Sequence, residues 1–374
     1  MTKAFQAVKN FLQSLDIALV LICLCCSGIS IICMYSFYVT GARDNRALIV
    51  QVVALGLGLI AAFVLSAMDY EVMAKLWKLH APIALFLVLL TFFIGEEVAG
   101  ADDKAWLNLF GITTIQPSEL LKLSFILTFS LHLSKTGENI NRLRPFLLLC
   151  LHGAVPILMI MLQGDFGSAL VFGVIFIGMM FVAGLSLRWI LAGITACAMM
   201  APLIWFFILP SYLKQRFFVA LHPEIDPLDK GLQQYNGRLS LGSGQLFGRG
   251  IGSEDLYNGV PEARNDFIYS YIGQTMGFVG CMITLLLITL LCVKILMTAR
   301  MSYDSMGCYI CTGVFAMLLF QSTVNIGMVL CIVPVIGITL PLFSAGGTSV
   351  TVTYMAIGLV LSVYRKNKKD LMFN

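Results

Sequence analysis

In the stretch GVPEARNDFIYSYIGQTMGFVG, residues 259–280, one acid, Asp266, stands where a long polar segment gives way to an apolar run. A carboxylate there can cap the helix that follows by accepting a backbone N–H, or act as a general base toward a substrate at the membrane surface. The helix dipole favours its ionised form and apolar surroundings oppose it. Two other places carry charge inside apolar sequence. In IQPSELLKL, Glu119 and Lys122 lie three residues apart and share a helical face, where they can neutralise each other or serve a ligand. In QGDFGSAL, Asp165 opens another apolar run and suits a cap. An ionisable group within a bilayer costs at least about 2.5 kcal/mol on insertion scales, so such residues commonly mark a site.

The elements that hold these groups are read from composition. Of 374 residues, 59% are hydrophobic and 12% charged, too apolar a balance for a soluble core to hide. The fold class is an all-α polytopic membrane protein. A crossing helix needs about 20 apolar residues, and ten runs qualify: 16–40, 47–68, 76–95, 116–134, 145–162, 165–184, 187–209, 267–294, 306–330 and 337–363. Short connections at MLQGDFG and AGLSLRW leave nine or eleven as alternatives. Loop charge supports ten. With the N-terminus inside, fourteen Lys and Arg fall on the cytoplasmic side, among them Lys75, Lys78, Lys135, Arg142 and Arg144, against Arg43, Arg46 and Lys104 opposite. Both termini are then cytoplasmic. Pro117 suits a first helical turn.

The N-terminal MTKAFQAVKNFLQSLD is polar, and the first apolar run is read as an anchor rather than a cleavable signal. The net charge of +4 follows topology and gives no reason to invoke nucleic acid. Eleven cysteines lie in or beside apolar segments and read as small hydrophobes; Cys23 and Cys26 have CxxC spacing but no nearby His. The large loop, about 210–266, falls outside the cytoplasm and is long for a connector. Within it YLKQRFFVALHPEIDP reads as an amphipathic helix and a turn. LGSGQLFGRGIG fails the dinucleotide fingerprint, since Phe247 stands where a third glycine is needed, and reads as a flexible loop.

Taken together, IQPSELLKL (115–123), QGDFGSALV (163–171), PEARNDFIYS (261–270) and NIGMVLCIVPVIGITLPLFSAGGTSV (325–350) resemble, in order, the signature segments of the SEDS family, the shape, elongation, division and sporulation proteins. The resemblance runs from Asp16 to about Tyr364 and implies a single domain over 1–374 with ten transmembrane helices and a large extracytoplasmic loop between the seventh and eighth. The short termini are more similar to the RodA branch than to FtsW. The family implies a peptidoglycan glycosyltransferase of the bacterial cytoplasmic membrane that polymerises lipid II in an inverting reaction, paired with a class B penicillin-binding protein. By position, Asp266 matches the catalytic loop aspartate, Lys122 and Glu119 the charged residues of the fourth span, Asp165 the aspartate of the sixth, and Arg216 the basic residue that begins the large loop. Lys122, Glu119, Asp165 and Arg216 are the expected substrate-binding residues, and Asp266 the catalytic one. Gly346, Gly347, Thr348 and Ser349 match a small-residue stretch, for which close helix packing is the simpler role. No cofactor is required by the resemblance, with a divalent cation such as magnesium as a candidate.

The sequence departs from the family pattern near the site. Arg264 and Asn265 replace His and Thr, Gln274 and Thr275 replace a pair of glutamates, and Ala105 replaces an arginine beside Lys104 and Trp106. Two alternatives to a polymerase therefore stand: a non-catalytic scaffold for a penicillin-binding protein, and a transporter of lipid-linked precursor, which would share the intramembrane charges and interrupted helices.

Overall fold

The computed structural model describes residues 11, 13–42, 45–96, 104–109, 113–208, 211–227, 231–253, 256 and 259–373. The chain starts its first span, α1 (Ile17–Phe37), at Asp16, whose Oδ1 accepts Leu19 N at 3.1 Å and whose Oδ2 pairs with Lys294 at 2.7 Å. Then come α2 (Arg46–Ala67), the short α3 (Tyr70–Lys75) and α4 (Trp77–Ile94). A two-stranded antiparallel hairpin, β1 (Leu107–Leu109) and β2 (Thr113–Ile115), leads into α5 (Pro117–Thr136), with Pro117 in the first turn. Next follow α6 (Leu143–Leu162), α7 (Phe166–Val182) and α8 (Leu187–Leu203). The two short connections are true breaks, because Gly164 (φ 89) and Gly184 (φ 87) adopt left-handed backbone that ends a helix.

The large loop contains α9 (Ser211–Leu221), followed by a 3₁₀ turn at Pro223–Ile225 as the amphipathic pattern predicts, and a second helix, α10 (Leu232–Ser243), that the pattern did not reveal. The chain ends with α11 (Ile268–Arg300), α12 (Ser305–Val329) and α13 (Gly347–Phe373). Among the described residues eight helices, α1, α2, α4, α6, α8, α11, α12 and α13, are long and apolar enough to cross a membrane. The other two expected spans are α7, of 17 residues, and α5, whose polar side chains lower its hydropathy.

Burial sorts the helices. No described residue in the apolar window of α8 is buried, whereas α12 and α13 are each 67% buried there, so α8 is peripheral and the C-terminal pair is central. In lipid, apolar burial gives little drive for association, and close approach of small residues takes over. A Cβ on Gly58 of α2 would sit 3.0 Å from Tyr354 Cβ, and one on Gly358 of α13 would sit 2.8 Å from Ala62 Cα. Gln51 of α2 binds Ser30 of α1 at 2.8 Å and the carbonyl of Ser344 at 3.2 Å. The described cysteines are free, and most are buried among apolar residues.

Two features differ from expectation. The last span does not begin at 337: residues 331–346 form no helix, and α13 starts at Gly347. Pro334 and Pro341 interrupt helical bonding, while Gly337 and Leu342 hold positive φ (both 68°). Non-helical backbone at this depth is tolerated when its polar groups are satisfied by protein. Here Gln234 donates to Met328 O and Val333 O, Asn325 to Ile338 O, and Ser30 to Phe343 O. The second difference is the glycine run, which is bound into α11 instead of hanging free. Gly277 (φ 66, ψ −164) breaks that helix, and the freed groups pair with the loop: Arg249 N with Gln274 O, Gly250 N with Thr275 O, Phe278 N with Gln245 O and Val279 N with Leu246 O. Gly244 and Gly248 are needed because a Cβ on either would strike the backbone of Gly273 or Thr275.

Candidate active site

Asp266 lies in the turns of residues 261–267, one residue before the N-cap of α11, which is Phe267 and makes no side-chain capping bond. It is half-buried. Its backbone is held by the interrupted segment. Asn325 Nδ2 donates to Asp266 O at 2.8 Å and to Ile338 O at 2.7 Å; Ser344 Oγ donates to Asn265 O at 2.6 Å; Ala345 N donates to Arg264 O at 2.8 Å. Its carboxylate faces Gly337, where a Cβ would lie 3.8 Å from Oδ2. Side-chain bonds between distant segments thus set the position of this acid, an arrangement that restricts a reactive group before substrate arrives.

Glu119 and Lys122 do pair, at 2.7 Å, on the first turns of α5, with side chains only 8% and 1% exposed. Asp165 is the cap of α7: its Oδ1 accepts Ser168 N at 2.8 Å, and its Oδ2 accepts Gln116 Nε2 at 2.9 Å from the start of α5. Through Gln116, Asp165 is tied to the start of the helix whose first turns carry Glu119 and Lys122, and all three charged residues are buried. Next to Asp165, Gly167 of α7 packs directly under the carbonyl of Ile336, where a Cβ would clash. Residues 336–338 therefore lie between Asp165 and Asp266. Arg216 lies on α9, and its side chain falls outside the described residues.

The departures from the family pattern find separate structural places. Gln274 is fully buried and accepts from Ser240 of α10 at 2.9 Å, and Thr275 donates to Tyr271 O at 2.9 Å. Both occupy the junction of α10 with the break in α11, where a carboxylate would be buried beside backbone carbonyls. Arg264 lies over the Phe37 ring at 5.1 Å, and Phe37 stacks on Tyr271 at 3.7 Å. Asn265 donates to Glu262 at 2.7 Å. Burial pushes the Glu262 carboxyl above its ordinary value, although this hydrogen bond opposes the shift. Ala105 is buried, while Lys104 is exposed. In the small-residue stretch Gly347 faces Val50 of α2, whereas Thr348 reaches Thr114 O of β2 at 3.4 Å and Ser349 meets Thr339 of the interrupted segment at 3.1 Å.

Asn325, Ser344, Gln116 and Glu262 were not identified from sequence. Asn325 carried a usable signal, since a buried amide inside an apolar helix is costly without partners. It is fully buried, and its Oδ1 has none among the described residues. Among the described residues no three His, Cys, Asp or Glu converge as a metal cage.

The comparisons agree with this arrangement. Stage V sporulation protein E of Bacillus subtilis is 32% identical over 368 residues, 94% of this chain and 98% of that protein. Peptidoglycan glycosyltransferase MrdB of Escherichia coli K12 is 29% identical over 321 residues, 84% of each chain. Among solved structures, a chain of a peptidoglycan synthase complex that coordinates polymerization and crosslinking superposes with a TM-score of 0.81 at 31% identity, covering 95% of this chain and 99% of that one. Rod shape determining protein RodA of Thermus thermophilus superposes with a TM-score of 0.70 at 29% identity, covering 94% and 97%. The profile of the cell cycle proteins FtsW, RodA and SpoVE matches residues 13–369. With the signature segments joined around Asp266 and the match spanning nearly the whole chain, this multi-pass membrane protein belongs to the FtsW/RodA/SpoVE family of cell cycle proteins.

Proposed function

We propose that the chain is a peptidoglycan glycosyltransferase that polymerises lipid II into β-1,4-linked glycan at the outer face of the bacterial cytoplasmic membrane. The observation that carries this reading is the setting of Asp266: a half-buried acid held by Asn325 and Ser344 next to an interrupted helix. In the reaction Asp266 takes the proton of an acceptor 4-hydroxyl. The hydroxyl oxygen forms a bond to the anomeric carbon of the lipid-linked MurNAc, and the polyprenyl pyrophosphate leaves with the bonding pair. One displacement inverts the α-linked donor to a β bond.

Departing negative charge calls for fixed positive charge. Lys122 retains two ammonium protons beyond its bond to Glu119, and burial leaves its field weakly screened. Arg216 is the second proposed cation, from the start of the large loop. Glu119 and Asp165 act as positioning residues, the first on Lys122 and the second on the start of α5 through Gln116. A divalent cation such as magnesium fits as a counter-ion of the substrate pyrophosphate, with water and one carboxylate, which is its common binding mode. The sugars stay in water at this surface while the polyprenyl chain remains in lipid. The proposed partner is a class B penicillin-binding protein, supported by the similarity to a chain of a peptidoglycan synthase complex.

The test is polymerisation of labelled lipid II by the purified chain, alone and with its cognate class B penicillin-binding protein. Wild type should make glycan, and folded Asp266→Asn and Asp266→Ala should make none. No product from wild type with its partner overturns the enzyme reading in favour of a scaffold. Product from both variants moves the base elsewhere.

A further inference from the structure

Along α5, two adjoining cavities open between α4, α5 and α6, the first running from Leu121 to Lys135 and the second at the C-terminal end, about 30 Å from the Gln116 turn by helical rise. The first, of about 420 Å³, is mostly apolar and is lined by Trp77, Leu85, Leu121, Phe125, Leu131 and Val155 among others. The second, of about 570 Å³, is lined by Lys135, Arg142, Arg144, Asn139 and Thr136. His132 and Lys135 line both, so the two form one cleft. His132 marks the step between them and bonds His152 at 3.1 Å, which in turn meets Thr128 at 3.2 Å.

Charge identifies the occupant. No Asp or Glu lines either cavity, and Lys135, Arg142 and Arg144 form no ion pair among the described residues. Three cations that form no ion pair among the described residues thus share one mouth against a single acid of the intervening turn, Glu138, on the side that loop charge assigns to the cytoplasm, and an apolar slot runs from that mouth into the helix bundle. We propose that this cleft binds an anionic glycerophospholipid of the cytoplasmic leaflet, its phosphate on Lys135, Arg142 and Arg144 and one acyl chain in the apolar cavity. Basic pockets between transmembrane helices on that side suit such headgroups. A free phosphate would leave the apolar cavity unused, and a zwitterionic lipid would bring its own cation to a positive mouth. The cationic mouth lies at the opposite end of α5 from Glu119 and Lys122, and the apolar cavity reaches back to Leu121, beside them.

The experiment is native mass spectrometry of the purified full chain in detergent, titrated with phosphatidylglycerol or phosphatidylcholine of matched acyl chains. Each Lys or Arg near a phosphate contributes about fivefold in affinity, so three give a preference on the order of 100-fold for phosphatidylglycerol. Lys135→Gln/Arg142→Gln/Arg144→Gln should abolish that preference, and these changes at exposed positions leave folding nearly unaffected. Ala81→Phe, which fills the apolar cavity, should weaken both lipids and keep the preference. Lys75→Gln/Arg188→Gln, cations of the same side outside the cleft, should bind as wild type. Equal binding of the two lipids by wild type overturns the proposal, as does a preference that survives in the triple variant or is lost in the Lys75/Arg188 control. Glycerol phosphate or polyprenyl phosphate binding as tightly as phosphatidylglycerol overturns the assignment to a glycerophospholipid.

Discussion

Asn325→Leu removes both N–H donors that hold Asp266 O and Ile338 O, at 2.8 and 2.7 Å, while keeping the branched skeleton of the side chain. Each stranded carbonyl costs about 1–3 kcal/mol. The substitution also deletes Oδ1, a buried acceptor with no partner among the described residues, which returns a similar amount for one group. The net loss is about 2 kcal/mol of stability, with Asp266 and the 336–338 turn freed to shift against each other. A displacement of about 1 Å at a reacting group costs on the order of 100-fold in rate. Asn325→Asp should be worse, because it keeps the shape but points an acceptor at two carbonyls. The assay is lipid II polymerisation per folded molecule, with thermal unfolding measured on the same samples. The expected result is a kcat reduced on the order of 100-fold with KM for lipid II changed less than about threefold. If both variants are destabilised yet their folded fraction polymerises at the wild-type rate, Asn325 is only structural and the positioning argument fails.

Glu119→Gln strands the Lys122 ammonium in a buried site and should destabilise the protein by about 3–5 kcal/mol, most of it recovered in Glu119→Gln/Lys122→Met; a single variant within about 1 kcal/mol of wild type in chemical unfolding would contradict the buried pairing. Gly277→Ala should lose at least about 2 kcal/mol, since φ 66, ψ −164 is essentially glycine-only and a Cβ would strike Gly248 N; an unchanged melting temperature would argue against the break in α11. Glu262 is the pH test. Its raised carboxyl pKa means that the folded chain binds more protons than the unfolded chain, so its contribution to stability is greatest below the ordinary glutamate pKa and falls as pH rises toward the raised one. Glu262→Gln should therefore gain melting temperature relative to wild type between pH 4 and pH 8, and a difference constant across that range would exclude the shift.

Much of this architecture was legible because lipid imposes simple rules. Apolar runs and loop cations locate the spans, and the cap at Asp165 and the pairing of Glu119 with Lys122 follow from local spacing. Where reading failed, distant segments supplied what local pattern lacked. The run 337–346 is apolar enough to pass as helix, yet its prolines and glycine end helical bonding, and Gln234, Asn325 and Ser30 satisfy the backbone left over. The glycine-rich stretch reads as free loop until its hydrogen bonds to the break in α11 are known. Helix α10, with few apolar residues, carries too weak a pattern to be found in sequence.

The sequence by itself determined that this is a polytopic membrane protein with about ten apolar runs, and the identity of the charged residues within them, because the energy of placing side chains in lipid depends chiefly on residue type and local run length. Only the tertiary structure decided which of those charges neutralise one another and which acid is held at the surface. Those outcomes depend on distances between residues far apart in the chain, such as Asn325 and Asp266 or Gln116 and Asp165, where a hydrogen bond exists only once the helices have packed.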